Sequence, residues 1–363
     1  MLFSHIADTH LGLVQYGSNE REQDVYDVFN QSIDISIKDN VDFVIFAGDI
    51  FHMPNPNGRA IIQMANALKR LKENNIDSFF ILGEHDISRI KTTPVPYVYH
   101  NLGFSKYIGN GKPIEYKGIM IAGLDKIRKT EMSQYEEIFL NLDKSVEKFE
   151  GHKILVLHQG ITEFNKFAGE LQSTDLPKNF TYYAMGHLHD KEIKEFNHIK
   201  GPIVYPGSIE LTTSEGIKDV EKGFFEVNIS GKEAIPKWIE LDIRPQFSFN
   251  TKYTELEKTI GEIIEKISDL AKKPMIQVKI EGEEIETDHI QSQIARLNSL
   301  ALRCFWKITT KQISDSSVFL DRPSVIEDEI IRLSINALDS EKEANFAVKQ
   351  LLPALSTDGI DQA

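Results

Sequence analysis

The chain has 363 residues, of which 41% are hydrophobic and 26% charged, and its formal net charge at pH 7 is −14. This length suits two domains that each bury a core, and the acidic balance excludes attraction of nucleic acid to the surface as a whole. Cys304 is the single cysteine, which excludes intramolecular disulfides and cysteine-based metal sites and fits a reducing, intracellular location. We find no apolar run of membrane-spanning length and no signal-peptide pattern, so we expect no membrane association.

Five short apolar stretches each end in side chains that are able to bind a metal. Runs of this length, rich in β-branched and aromatic residues, predict buried strands. In open α/β sheets, ligands bind beyond the carboxyl ends of the strands, so we expect these side chains to converge at one rim. The stretches are residues 2–7 before Asp8 and His10, 43–48 before Asp49 and His52, 79–83 before Glu84 and His85, 154–157 before His158, and 182–186 before His187 and His189.

Amphipathic helices are predicted between these strands. Apolar residues recur every fourth position from Val25 to Ile37, and similar stripes cover residues 61–71 and 135–149. The alternation of strand and helix through about residue 150 predicts an α/β fold. Residues 203–210 and 223–230 resemble antiparallel strands that close a first domain, which we place at residues 1–244.

The pattern restarts near Pro245. A helical stripe at 256–270, a strand at 276–280, a helix at 290–297 and a strand at 302–309 predict a smaller α+β domain over residues 245–322. Residues 323–363 contain two further helical stretches and form a predicted C-terminal helical tail. The apolar faces of the tail suit a partner's surface and suit packing on their own chain equally well.

The types of candidate ligand select the metal chemistry. Carboxylates mixed with imidazoles, without thiolates, suit Mn²⁺, Fe²⁺ or Zn²⁺. One such residue alone is as well explained by a turn, a helix cap or the surface, but seven candidates at equivalent strand ends predict two ions about 3.5–4 Å apart, bridged by a carboxylate. Such a pair activates water and neutralises charge at phosphorus, so hydrolysis of a phosphate ester is the predicted reaction.

Five motifs, in order along the chain, resemble the signature of the calcineurin-like metallophosphoesterases. They are Asp8-x-His10, Gly48-Asp49, Gly83-Glu84-His85-Asp86, His158 and Gly186-His187-x-His189. The segments SHIADTHLG, GDIFH and MGHLHD further resemble the DNA double-strand-break repair nucleases of the meiotic-recombination-eleven (SbcD-like) type. This resemblance implies a four-layer α/β sandwich, a smaller capping domain that binds DNA, a helical tail, and manganese-dependent exonuclease or endonuclease activity.

The resemblance also implies a role for each site residue. His85 would protonate the leaving oxygen, since imidazole titrates near neutral pH, and His52 would contact the scissile phosphate. Asp86 would either orient His85 or, as we favour, cap a helix. The implied metal ligands are Asp8, His10 and His189 for one Mn²⁺ ion, His158, His187 and Glu84 for a second, and Asp49 as the bridge between the two.

Glu84 departs from the family pattern, which has asparagine at this position. A glutamate is longer than asparagine and adds a negative charge beside two cations and an anionic substrate. We therefore expect Glu84 to bind metal but to lower turnover.

Short basic clusters are the candidate DNA contacts in this acidic chain, at residues 69–72, 89–91 and 126–129. Arg89 and Lys91 follow the predicted metal loop and suit phosphate contacts, although for any one cluster a solvated helix face or loop is the favoured explanation. The resemblance implies a homodimer formed through the phosphoesterase domains. It also implies an ABC-type coiled-coil ATPase (Rad-fifty, SbcC-like) docked on the tail, and a location in the cytoplasm or at the nucleoid.

Two alternative functions stay open on the sequence alone. One is a phosphoesterase of the same superfamily that acts on small nucleotides or phosphoproteins, which the acidic surface favours. The other is a non-catalytic scaffold subunit that retains metals, for which Glu84 would be the sign.

Overall fold

The computed structural model describes residues 1–88, 90, 92–127, 133–282 and 285–309. Within them, no helix is long and apolar enough to cross a bilayer. The helices are α1 (Asn19–Lys38), α2 (Gly58–Glu73), α3 (Tyr97–Asn101), α4 (Ser133–Val146), α5 (Leu256–Ile267) and α6 (Thr287–Ala295). The strands are β1 (Leu2–Ile6), β2 (Phe43–Ala47), β3 (Asp77–Ile81), β4 (Lys106–Tyr107), β5 (Ile114–Tyr116), β6 (Ile119–Leu124), β7 (Lys153–His158), β8 (Tyr182–Gly186), β9 (Glu192–Lys194), β10 (Ile203–Tyr205), β11 (Gly223–Asn228), β12 (Ile235–Glu240), β13 (Gln246–Lys252), β14 (Met275–Glu281) and β15 (Arg303–Thr309).

Two six-stranded sheets carry the predicted metal-binding strands. The first sheet has the order β12-β11-β1-β2-β3-β4 and the second β5-β6-β7-β8-β10-β9. β1, β2 and β3 run parallel to one another, as do β6, β7 and β8. The carboxyl ends of β2 and β7 meet, because the Nδ1 atom of His158 lies 2.7 Å from the carbonyl oxygen of Ala47. The two sheets therefore present their polar strand ends at one rim.

The sheets pack face to face between two layers of helix. Phe43 and Phe79 of the first sheet join Ile154 and Tyr182 of the second in one buried cluster. On the outer face of the first sheet α1 and α2 bury apolar stripes, and on the outer face of the second sheet α4 does the same, with Phe139 in its cluster. This helix–sheet–sheet–helix order agrees with the predicted α/β class and four-layer sandwich.

One predicted strand arrangement is only partly confirmed. We expected residues 203–210 to form an antiparallel strand; β10 spans Ile203–Tyr205 and pairs antiparallel with β9, but it also pairs parallel with β8. The reason is topological: the hairpin places β10 between β8 and β9, so β10 returns to the direction of β8. The second expected strand, β11, is antiparallel to both β1 and β12 as predicted.

A third sheet follows residue 245 and consists of β13, β14 and β15, all parallel. Helices α5 and α6 pack on it around Ile260, Ile276 and Ile290. The strand β13 was not foreseen, because its sequence QFSFNTK is short on aliphatic residues. Arg244 joins this unit to α1 through hydrogen bonds of 2.6 and 2.8 Å to Asp24. The predicted tail, residues 323–363, lies outside the described residues.

Candidate metal centre

Four of the predicted ligand residues have backbones in the left-handed region. The φ angles are 51° at Asp8, 42° at His10, 49° at Asp49 and 93° at His187. Residues other than glycine rarely adopt this backbone conformation, and those that are held in it concentrate at functional sites. Each residue follows a buried strand directly or closely, so the chain turns sharply and directs the polar side chain over the end of the sheet.

Glycines make room for these turns. Gly48 has φ +86°, and a Cβ atom there would overlap the imidazole of His158. At Gly83 a Cβ atom would overlap the carboxylate and backbone of Asp49. The glycines that precede Asp49 and Glu84 are thus needed for close packing of the two ligand loops.

One group of candidate ligands lies at the ends of β1 and β8. Asp8, His10 and His189 each offer a ligand atom within 4.8 Å of the others. The Nε2 atoms of His10 and His189 lie 3.1 Å apart, and Nε2 of His189 lies 4.0 Å from Oδ1 of Asp8. These are the three residues to which the family resemblance assigns one ion.

A second group lies at the ends of β3, β7 and β8. Glu84, His158 and His187 also offer ligand atoms within 4.8 Å of one another. The Oε2 atom of Glu84 lies 2.8 Å from Nε2 of His158, and its Oε1 atom lies 2.7 Å from Nδ1 of His187. Glu84 therefore occupies the position expected for a ligand despite its departure from the family pattern.

Asp49 lies between the two groups. Its Oδ2 atom is 3.4 Å from Nε2 of His158 in one group and 3.9 Å from Nε2 of His10 in the other. Asp49 is 1% exposed, so a carboxylate at this place has no solvent to balance its charge. A carboxylate in this position is within reach of both groups of candidate ligands.

The donor set fits divalent cations. The Nδ1 atom of His158 donates a hydrogen bond to the Ala47 carbonyl, so its Nε2 atom is the one that faces the other candidate ligands. This Nε2 atom is buried and makes no hydrogen bond of acceptable geometry. The oxygen ligands come from the carboxylates Asp8, Asp49 and Glu84, whose combined negative charge requires cations nearby. Imidazole nitrogens with carboxylate oxygens suit Mn²⁺, Fe²⁺ or Zn²⁺.

The pKa values of the site residues reflect burial and this excess of carboxylates. Burial lowers the pKa of His10 to about 3 and raises that of Asp8 to about 6. Burial would also lower the pKa of His158, but the carboxylates of Asp49 and Glu84 outweigh it and raise that pKa well above its ordinary value. The two carboxylates therefore favour positive charge beside Nε2 of His158, which is the charge that a divalent cation would supply.

Residues outside the ligand set hold His189 in place, and the sequence did not identify them. The Nδ1 atom of His189 lies 3.2 Å from the Thr212 hydroxyl and 3.4 Å from the Glu215 carboxylate. Lys222 donates hydrogen bonds to Glu215, at 2.6 Å, and to the carbonyl of His189, at 2.7 Å. Such partners orient a metal-binding imidazole. They come from a loop and a strand start without a recognisable motif, so only the tertiary structure could reveal them.

Asp86 has neither of the two roles that we predicted for it. Its carboxylate accepts hydrogen bonds from the backbone N–H groups of Ile50, Phe51 and Gly83, at 3.2, 2.9 and 3.0 Å. It therefore ties the loop after Asp49 to the loop before Glu84, and among the described residues it caps no helix and bonds to no imidazole. The prediction failed because two of the three backbone partners of Asp86, Ile50 and Phe51, lie 36 and 35 residues away in sequence.

His52 and His85 lie together beside the first group of ligands. Their rings stack, with centroids 5.3 Å apart, and the His10 ring lies 4.9 Å from that of His85. The Nδ1 atom of His85 is 2.8 Å from the carbonyl oxygen of His52, so it donates to that oxygen and leaves Nε2 available. The backbone N–H of His85 also donates to Asp49, at 2.9 Å. Both histidines predicted for phosphate chemistry thus border the metal site.

The structure describes only part of the basic clusters that were predicted to contact DNA. Arg89 and Lys91 lie outside the described residues. Lys126, which the sequence grouped in a basic cluster, lies at the metal centre, with its Nζ atom 3.4 Å from Nε2 of His187.

Comparison with known proteins identifies the family. A family model described as calcineurin-like phosphoesterase matches residues 1–191. The chain is 32% identical to the DNA double-strand break repair protein Mre11 of Saccharolobus solfataricus over 372 residues, which cover 98% of this chain and 95% of that protein. It is also 32% identical to the Mre11 proteins of Sulfurisphaera tokodaii, covering 95% of this chain and 91% of that one, and Thermoplasma acidophilum, covering 81% and 80%. The chain belongs to the calcineurin-like phosphoesterase family and, within it, to the Mre11 proteins.

Proposed function

We propose that this chain is a manganese-dependent nuclease that hydrolyses DNA phosphodiester bonds in double-strand-break repair. The observation that carries the proposal is the position of Asp49 between two groups of three ligands, one of which holds His10 and the other His158. A pair of sites sharing a carboxylate suits in-line displacement at phosphorus. Relatives of nearly the same length are named DNA double-strand break repair proteins, which supports DNA as the substrate.

Each residue has a distinct task in the proposed reaction. Asp8, His10 and His189 would hold one Mn²⁺ ion, Glu84, His158 and His187 the second, and Asp49 both. When bound, the ions supply Lewis acidity and an activated water. His85 would donate a proton from Nε2 to the leaving oxygen, since its Nδ1 atom is bonded to the carbonyl of His52. His52, half-buried beside it, would contact a phosphate oxygen.

A digestion assay tests this function and separates it from the two alternatives. Linear double-stranded DNA and a small phosphodiester are incubated with the protein in Mn²⁺, with and without a chelator. We expect cleavage of the DNA that the chelator abolishes and that His85→Ala reduces by about a hundredfold or more, while exposed His198→Ala leaves it unchanged. Cleavage of the small diester alone would instead indicate a small-molecule phosphoesterase. Tight Mn²⁺ binding without any cleavage would indicate a scaffold.

The domain division and partners belong to the same proposal. Residues 1–244 would be the nuclease domain, 245–322 a capping domain that contacts DNA, and 323–363 the segment that docks on an ABC-type coiled-coil ATPase. A homodimer would form through α2, α3 and the residue that follows α3, because Ile62, Val98 and Leu102 are 59%, 48% and 62% exposed. The two helices are neighbours, since the Tyr99 hydroxyl donates to the carbonyl of Ile61 at 2.9 Å. Together they present an apolar surface that a second copy would cover.

A further inference from the structure

A largely buried lysine lies directly beside the second group of candidate metal ligands. Lys126 follows β6, and its side chain is 9% exposed. Its Nζ atom is 2.7 Å from Oε2 of Glu170 and lies 3.5 and 3.4 Å from Nδ1 and Nε2 of His187. A lysine is seldom buried without paired charges, because desolvation of an ammonium group is costly. We therefore expect Lys126 to be held in this position by the negative charges around it.

Glu84 carries one of these negative charges. The same Nδ1 atom of His187 that lies 3.5 Å from Lys126 lies 2.7 Å from Oε1 of Glu84. The ammonium and the carboxylate thus share one imidazole in a partly buried site, where charges interact much more strongly than in water. The extra negative charge that glutamate brings, relative to asparagine, therefore has a positive charge at the same imidazole ring, without a direct ion pair between the two.

The substrate carries another negative charge. A phosphodiester is an anion, and Glu84 repels it from the metal pair. The Nζ atom has three N–H donors, and among the described residues Glu170 is the one carboxylate that binds it. The Nζ atom lies at nearly equal distances from both ring nitrogens of His187, so the ring engages one N–H group and Glu170 another. Among the described residues a third N–H group is then available for a phosphate oxygen.

We propose that Lys126 is a phosphate-binding residue whose charge offsets that of Glu84 and so lets the Glu84-containing site accept an anionic substrate. This inference rests on the proposed function, in which the substrate is a DNA phosphodiester. The competing explanation is structural: Lys126 would anchor only Glu170, whose Oε2 atom also accepts a hydrogen bond from Gly160 N–H at 3.3 Å.

A double-mutant cycle distinguishes the two explanations. The parent is the full-length protein carrying His85→Ala, which suppresses cleavage. Three variants are made in this parent: Lys126→Met, Glu84→Asn, and the two substitutions together. Binding of Mn²⁺ alone, of inorganic phosphate to the Mn²⁺-loaded protein, and of a short single-stranded oligonucleotide are measured separately. Lys126→Arg serves as the matched control, because it keeps the charge.

We expect Lys126→Met to weaken phosphate and oligonucleotide binding about tenfold and to leave Mn²⁺ affinity equal or higher, since a neighbouring cation has been removed. With Glu84→Asn present, the loss should fall to about threefold or less. Lys126→Arg should keep most of the affinity.

The inference would be refuted if Lys126→Met weakened phosphate binding equally in the presence of Glu84 and of asparagine at position 84. So would a parallel loss of Mn²⁺ binding and thermal stability, which would show that Lys126 is only an anchor. If the parent protein binds phosphate in the expected pattern but does not bind the oligonucleotide, the DNA assignment fails while the role of Lys126 stands.

Discussion

Glu84 is the residue at which this chain differs from the asparagine of its family pattern, and its geometry sharpens that difference. Both of its oxygens lie within 2.8 Å of an imidazole nitrogen, one on His158 and one on His187. Oε1 and Oε2 thus contact separate members of the second group, so the side chain is placed to bind metal. Its charge still acts on every anion that approaches the site.

Replacement of Glu84 by asparagine tests this charge. We expect Glu84→Asn to raise the rate of DNA cleavage by about threefold to tenfold, because the repulsion of the scissile phosphate is removed. Affinity for Mn²⁺ should fall slightly, since a neutral amide is a weaker ligand than a carboxylate. Steady-state digestion together with titration of Mn²⁺ measures both effects. Equal or lower cleavage at saturating Mn²⁺ would show that the glutamate does not hinder turnover.

At the level of elements, Asp125 at the end of β6 joins the two sheets. Its carboxylate accepts hydrogen bonds from the Leu82 N–H, at 2.8 Å, and from the Tyr107 hydroxyl, at 2.6 Å, both in the first sheet's half of the sandwich. Burial raises the pKa of Asp125 to about 7, although these hydrogen bonds oppose the shift. Below about pH 7 the folded protein therefore favours the protonated acid.

This raised pKa predicts a pH dependence of stability. A carboxyl group whose pKa is higher in the folded than in the unfolded state stabilises the fold at low pH, and that stability is lost as the pH rises through about 7. The contribution of Asp125 should fall by about 1.4 kcal/mol between pH 6 and pH 8. Urea unfolding of the metal-free protein at both pH values measures it. Asp125→Asn, which does not titrate, should reduce the difference in unfolding free energy between the two pH values by about that amount. An unchanged difference would contradict the raised pKa of Asp125.

At the level of the whole molecule, the exposed apolar surface of α2 and α3 predicts the oligomeric state. We expect Leu102→Glu to convert a dimer into a monomer, because a buried carboxylate without a partner would oppose association. Sedimentation velocity at micromolar concentration measures the change. Leu140 on α4 is 61% exposed, like Leu102 at 62%, so Leu140→Glu is the matched control and should leave the dimer intact. If both variants remained dimers, the α2–α3 surface would be excluded as the dimer interface.

The tail predicts a second interaction. We expect a chain that ends at residue 322 to keep its Mn²⁺ affinity and DNA cleavage but to lose binding of the ABC-type ATPase, because the predicted docking helices lie at 323–363. Co-purification with the ATPase at moderate salt measures the loss. An undiminished complex would mean that the tail helices pack on their own chain, which is the alternative that the sequence left open.

The sequence by itself determined the fold class and the identity of the candidate ligands. Both follow from local signals: apolar runs predict buried strands, and a polar residue after such a run lies at the end of the strand. This is why Asp8, Asp49, His158 and His187 could be named before their distances were known. Motif order then identified the family, which the comparisons confirm.

Only the tertiary structure decided which residues support those ligands. Glu215 reaches His189 from 26 positions away, Asp86 holds the loop after Asp49, and Lys126 lies against His187 from 61 positions away. The direction of β10 was likewise set by its place between β8 and β9. The physical reason is common to all of these cases. A contact between distant segments depends on how sheets and loops pack in three dimensions, and no periodicity or local spacing in the chain encodes that packing.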